Sequence, residues 1–253
     1  MRVAVLMLSY ERYDTLKQIL EHNMNNAGYP FDLFVWDNGS KDERVIPLLD
    51  SVAKIVWKCD RNYGIAAPFN VMIDHCYRCG YDAFHVMAND IFEPSNWLAD
   101  KIRYLAGIPM SGMISICPGE MPYLPSYLSM DLPCHMGDVI GQFMISRRVY
   151  EKVGGFNEEF GNYGPIDNDY NARCAVSGFV NYYIPGQSQH IDSSPADLYG
   201  YDKAAAVAKT WPIHEANVRK YSENPESAYI PVDGECIVNM KQFWNGEGIG
   251  ASE

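Results

Sequence analysis

The sequence lacks several features that would point to other functions. It has no long apolar run: the N-terminal stretch Val3 to Leu8 is far too short for a membrane span or a signal-peptide core. It has no basic cluster longer than Arg147-Arg148, and 20 Lys and Arg stand against 32 Asp and Glu, for a net charge of −12. A chain whose main partner is a phosphate polymer gains affinity from a basic surface through counterion release. The charge therefore argues against routine nucleic-acid binding, while leaving room for a local patch. A second CxxC pair is missing, so Cys76-Tyr77-Arg78-Cys79 cannot complete a four-thiolate zinc site, and it falls in a helical pattern ending at Gly80. The seven cysteines are odd in number and scattered, unlike a secreted disulfide framework, and a reducing cytoplasm is the expected home. Internal repeats and low-complexity tails are absent as well.

What is present is globular: 253 residues, 47% hydrophobic and 13% aromatic, enough for one large α/β domain. Val3 to Leu8 is continuously apolar, as a strand buried on both faces requires. Asp14 is placed to cap a helix carrying Leu16, Ile19, Leu20 and Met24. Strands are expected at Phe31–Trp36, Ala53–Lys58 and Ala83–Ala88, with a short helix interrupted near Pro47 and another over Ala66–Cys79. Such alternation implies a mainly parallel sheet with right-handed crossovers. The stretch Pro109 to Pro133 holds five prolines and reads as a shaped loop with one strand at Met113–Cys117. Strand character returns at Val139–Ser146, then a short helix at Arg147–Val153 and a helix over Pro165–Ser177. Beyond Pro185 the sequence reads as irregular, with one helical stretch near Asp202–Lys209.

Ligands of parallel sheets collect at the carboxyl ends of the strands. Here the first strand ends in Ser9-Tyr10, the second in Asp37-Asn38, the third leads into Asn62-Tyr63-Gly64, and the fourth ends in Asn89-Asp90. Any one polar pair would be an ordinary turn former. Four on one edge make a nucleotide-sized constellation.

Together with Val5 to Arg12, Val35 to Asp42, Asn62 to Asn70, Met87 to Asp90, Gly154 to Phe160 and Asp167 to Arg173, this ordered set resembles the inverting family-2 glycosyltransferases of the GT-A fold, over roughly residues 3 to 192. The resemblance implies a single α/β domain of GT-A (Rossmann-like) type, with a mainly parallel central sheet flanked by helices. It implies a nucleotide-sugar half at about residues 1–105, an acceptor and catalytic half at about 106–195, and a C-terminal extension, 196–253, packed on the same domain. Ser9, Tyr10 and Asp37 would surround base and ribose, and Asn62 and Gly64 would lie against the donor. Ala88-Asn89-Asp90 occupies the place of the family's DxD motif but departs from it, because Ala88 offers no ligand. Asp90 is then the carboxylate ligand, Asn89 is a ribose or phosphate contact, and His190 is the second ligand of a divalent metal, Mn²⁺ or Mg²⁺. In Pro165-Ile166-Asp167-Asn168-Asp169 the family's leading Glu is replaced by Ile166. Asp167 is implied as general base, and Asp169 and Arg173 as a structural pair four residues apart.

The implied activity is transfer of one sugar from a nucleotide-diphosphate sugar, a UDP-sugar first, to a hydroxyl of a glycan or glycoconjugate. Lys241-Gln242-Phe243-Trp244 lacks the Arg of the processive members' motif, which favours one sugar per encounter. Acceptor choice is expected from Met121–Asp138, where Tyr123, Tyr127 and His135 serve either as sugar platforms or as a packed lid. Three rivals stay open. Ala88 and Ile166 suit a sugar-nucleotide-binding protein without turnover. A nucleotidyltransferase would need a Gly-rich basic loop, whereas Ser9 to Tyr13 has one Arg and no Gly. A glycosyltransferase acting on a modified DNA base is opposed by the acidic charge.

Overall fold

The computed structural model describes residues 1–119, 131–191 and 202–232, with the backbone of 126–129 in addition. Tyr123 and the Lys241–Trp244 motif lie outside the described residues, as does the side chain of Tyr127. The strands are β1 (Val3–Ser9), β2 (Asp32–Asp37), β3 (Ile55–Lys58), β4 (Ala83–Met87), β5 (Ile91–Phe92), β6 (Ser111–Pro118), β7 (Ser126–Ser129), β8 (Leu132–Met136), β9 (Phe143–Ser146) and β10 (Val180–His190). The helices are α1 (Tyr13–Asn25), α2 (Val45–Val52), α3 (Ala66–Arg78), α4 (Trp97–Gly107), α5 (Arg147–Val153), α6 (Ile166–Val176) and α7 (Lys203–Glu223).

The sheet runs β3-β2-β1-β4-β9-β6-β10-β8-β7, with β5 pairing the far end of β10. Its first four strands are parallel neighbours. The second half is mixed: β9 lies antiparallel to β4 and β6, while β6 and β10 are parallel. Period-two alternation divides the core. Ala4, Leu6, Phe34 and Trp36 face α3, α5 and α6, whereas Val3, Val5, Met7, Leu33 and Val35 face α1, α2 and α4. Each large apolar side chain so buried contributes roughly 1.5–3 kcal/mol, which is why β1 is apolar at every position but its last, Ser9.

Several elements differ from expectation for identifiable reasons. Asp14 lies inside the first turn of α1, and the residue preceding the helix is Arg12, in a left-handed conformation with no side-chain cap. Pro47 does not interrupt α2, because it stands in the first turn, where no N–H is owed to the helix. Helix α4, absent from the elements expected above, buries Trp97, Leu98, Lys101 and Tyr104 at helical spacing, and the charge of Lys101 meets Glu93 inside the core. Strand β10 continues past Pro185 and Gly186 to His190, accommodated by a register shift against β6 between Ile184 and Ser188. Among the described prolines of 109–133, Pro109 precedes β6, Pro118 ends it and Pro133 lies in β8. Helix α7 runs through Pro212 to Glu223 and packs on α6.

Candidate active site

The β1–α1 connection is strained on purpose-built supports. Glu11 and Arg12 both have positive φ, 53° and 62°, a conformation costing about 1–2 kcal/mol per non-glycine residue. The Glu11 carboxylate accepts the backbone N–H of Lys41 (2.9 Å) and Asp42 (3.2 Å), and Glu11 N–H donates to Ser40 Oγ at 2.7 Å. This bracing turns Arg12 back across the sheet edge, where its Nη1 lies 3.2 Å from Asp90 Oδ2.

The second brace is Asn38. Its backbone N–H bonds Ser9 O at 2.8 Å, its Oδ1 accepts Trp36 Nε1 and Tyr63 N, and its Nδ2 donates to Gly64 O at 2.9 Å. Asn62 Oδ1 accepts Gly64 N–H at 2.8 Å. Gly64 itself has φ +78°, and a Cβ there would sit 2.7 Å from Asn162 Cα. Glycine is thus required twice at this position, for the turn and for the approach of the 161–164 loop.

Past β4 the chain turns through Ala88-Asn89-Asp90 into β5, and Ile91 pairs with His190 across the β5–β10 ladder. Asp90 O accepts Ile191 N–H at 2.8 Å. That two-strand clamp sets Asp90 Oδ2 3.4 Å from His190 Nε2, with His190 largely exposed and Asp90 mostly covered. Residues far apart in sequence, one carboxylate and one imidazole, therefore converge on a single point.

These residues border a cavity of about 390 Å³. Ser9, Tyr10, Asn62, Gly64, Asn89, Asp90, Asp167 and His190 all line it, and Asp37 does not. Asp37 is buried behind the rim and closes its own turn: Oδ2 accepts Gly39 and Ser40 N–H, and Oδ1 accepts Ser40 Oγ at 2.6 Å. Burial pushes its carboxyl above the ordinary range, against the lowering effect of hydrogen bonds from Ser40, Ser9 and Gly39. The opposite wall includes Asn162, Tyr163, Gly164 and, from the start of α7, Lys203.

Asp167 stands in the first turn of α6. Its Oδ2 accepts Gly141 N–H at 2.9 Å and its Oδ1 accepts Asn168 N–H at 3.0 Å. Burial raises its pKa, opposed by these backbone donors and by His214. Ile166, where the related signature has a carboxylate, is buried and also borders the cavity. Two residues on, Asp169 faces the interior. It is fully buried with Arg173, bonded Nε to Oδ2 at 2.7 Å, and its Oδ1 accepts Tyr221 OH at 3.0 Å.

No group of three or more His, Cys, Asp or Glu side chains able to hold a metal occurs among the described residues. The Asp90–His190 pair offers a divalent ion a carboxylate oxygen and an imidazole nitrogen, and such an ion would share the Asp90 carboxylate with the Arg12 guanidinium, 3.2 Å from Oδ2, and take its remaining ligands from a diphosphate and water.

The sequence reading did not assign roles to Arg12, Gly141, Tyr163 or Lys203. Arg12 stood inside a quoted motif, but only the left-handed backbone aims it at Asp90. Tyr163 comes from a stretch without periodicity, and Lys203, though inside the helical stretch near Asp202–Lys209, has no spacing that marks it.

The fold is of the GT-A type seen in nucleotide-diphospho-sugar transferases, a mixed α/β domain whose large central sheet is flanked by helices. No protein-family model and no curated protein sequence matches the chain. Among solved structures, the mannosyltransferase PcManGT from Pyrobaculum calidifontis, in complex with GDP-Man and Mn²⁺, is similar at a TM-score of 0.61 and 18% identity, over 96% of this chain and 71% of that one. GalNAc-T7 with UDP, GalNAc and Mn²⁺ gives 0.63 and 12%, over 98% of this chain and 54% of the other. TarS of S. aureus gives 0.56 and 13%, over 76% and 37%. This chain thus spans about half or less of the latter two. No helix among the described residues is long and apolar enough to cross a membrane.

Proposed function

We propose that the chain is a metal-dependent, inverting glycosyltransferase that moves one sugar from a nucleotide-diphosphate sugar, a UDP-sugar first, to a hydroxyl of a glycan or glycoconjugate. The observation that carries this reading is the meeting of Asp90 and His190, 3.4 Å apart, on the same cavity as Asp167. Similar folds bound to GDP-Man or UDP with Mn²⁺ support it.

Asp90 and His190 would hold Mn²⁺ or Mg²⁺. When bound, the cation supplies positive charge to the departing diphosphate, which matters more in the transition state than in the ground state. Tyr10 offers a face to the base, and Ser9, Asn62 and Asn89 offer polar atoms to ribose and phosphate. Gly64 lets the backbone come close to the donor. Asp37, with its oxygens engaged by the turn, holds the loop that positions Ser9. Asp167 accepts the proton of the attacking acceptor hydroxyl. Its helix N-terminal position favours the ionised form, and its burial raises the pKa toward that of a useful base.

A panel of nucleotide sugars incubated with Mn²⁺, scored for released nucleoside diphosphate and for the anomeric configuration of the product, tests the reading. Metal-dependent release with inversion is expected. Nucleotide binding without release would instead identify a sugar-nucleotide-binding protein, and retention of configuration would remove Asp167 from the role of base.

A further inference from the structure

We propose that a groove along α7 is the acceptor subsite, and that its occupant is a neutral oligosaccharide with a sugar ring laid on Trp211. This rests on the glycosyltransferase reading of the adjoining cavity and goes beyond it by naming the acceptor's chemistry and its seat.

Helix α7 has two unlike faces. Thr210, Asn217 and Tyr221 recur at helical spacing toward the body: Thr210 and Tyr221 are buried, and Asn217 Nδ2 donates to Glu159 Oε2 at 3.0 Å. The other face carries Ala204, Val207, Ala208, Trp211 and Glu215, and with Tyr163 it forms an open groove of about 680 Å³. Tyr163 and Lys203 line both this groove and the cavity that holds Asp90 and Asp167. A chain lying along α7 therefore enters the cavity at its mouth.

Three features select carbohydrate. Trp211 is 40% exposed, with the His214 ring against it at 5.3 Å between centroids, and Ala204 and Ala208 precede it with side chains too small to cover it. A flat indole presented this way accepts the C–H face of a pyranose ring, while at the junction the Tyr163 ring carries the Lys203 ammonium 5.5 Å from its centroid. Pro212 lies inside the helix and has no N–H, so the carbonyl of Ala208 lacks its helical donor and stays available to a hydroxyl. Lys203 and Glu215, at the two ends, supply hydrogen-bond donors and acceptors of opposite charge. That balance suits a neutral polyhydroxylated chain better than a polyanion. Lys203 to Glu215 spans about 18 Å of helix, room for several rings.

The full chain is applied to an array of neutral and acidic oligosaccharides, with peptides as a control. The best binder is then titrated calorimetrically beside UDP and GDP in Mn²⁺. Neutral oligosaccharides should bind, Trp211→Ala should weaken them by about tenfold, and Trp211→Tyr should restore most of the affinity. Nucleoside diphosphate affinity should not change in either variant. Equal oligosaccharide affinity in Trp211→Ala, binding of peptides in place of sugars, or no sugar binding by a chain that binds nucleotide would each overturn the proposal. Trp211-dependent sugar binding by a chain that binds no nucleotide would uphold the groove and sink the donor reading instead.

Discussion

Asp167 and Asp169 sit two residues apart on one helix, and the structure gives them opposite consequences when removed. Asp169 and Arg173 are both 0% exposed and joined at 2.7 Å. Truncating Asp169 to Ala leaves the guanidinium buried with the Val153 carbonyl at 3.0 Å and the Tyr170 ring at 4.7 Å, and deprives Tyr221 OH of its acceptor. Breaking a buried pair from one side costs about 3–5 kcal/mol. At roughly 2–4 °C per kcal/mol for a domain of this size, the melting temperature should fall by about 6–20 °C. Because Tyr221 belongs to α7, amide exchange across 203–223 should rise with it. Asp167→Ala loses two bonds from backbone N–H groups but also relieves a carboxylate of its burial, so its melting point should move by only a few degrees. Its turnover should vanish. Scanning calorimetry of both variants, with donor turnover measured well below either transition, separates the two roles. An Asp169→Ala protein that melts with the wild type, or an Asp167→Ala protein that turns over normally, would refute the reasoning.

Asp90→Ala and His190→Ala should each weaken Mn²⁺-dependent nucleoside diphosphate binding by about tenfold or more, read by calorimetry, with the fold unchanged in circular dichroism. Gly64→Ala must place a Cβ 2.7 Å from Asn162 Cα at φ +78°. It should cost about 1–2 kcal/mol from the backbone conformation alone and raise the KM for donor by displacing the 161–164 loop; an unchanged KM would show that the loop does not form the donor wall. Burial raises the Asp167 pKa, and only the ionised form can accept a proton. The acid limb of the rate profile should therefore lie above the ordinary carboxylate value of about 3.9, with activity lost as pH falls through it; a limb at or below that value would argue against Asp167 as the titrating base.

The parallel half of the fold was legible because its signals are local. Val3–Leu8 is apolar at every position and Ala83–Met87 at all but His85, and each leads to polar residues at the same edge. The order of those edges brings Ser9, Asn62 and Asp90 near one another, and all three line the cavity. The second half was less legible because there the deciding contacts are nonlocal. Lys101 can be buried because Glu93, eight residues before it, lies beside it in the core. Pro185 and Gly186 read as a break until the register shift against β6 carries the strand on to His190. Asp37 could be placed at the strand end, yet nothing in its spacing told that Gly39 and Ser40 would use its oxygens. Arg12 owes its direction to two consecutive left-handed residues, a conformation that Glu-Arg does not advertise.

The most direct test is a crystal of the full chain soaked with a nucleotide sugar and Mn²⁺, with anomalous scattering used to locate the metal. A manganese peak bonded to both Asp90 and His190, with the diphosphate alongside it and the sugar toward Asp167, is the expected result. A peak elsewhere, or a nucleotide seated away from the Ser9–Asn62–Asp90 edge, would contradict the assignment.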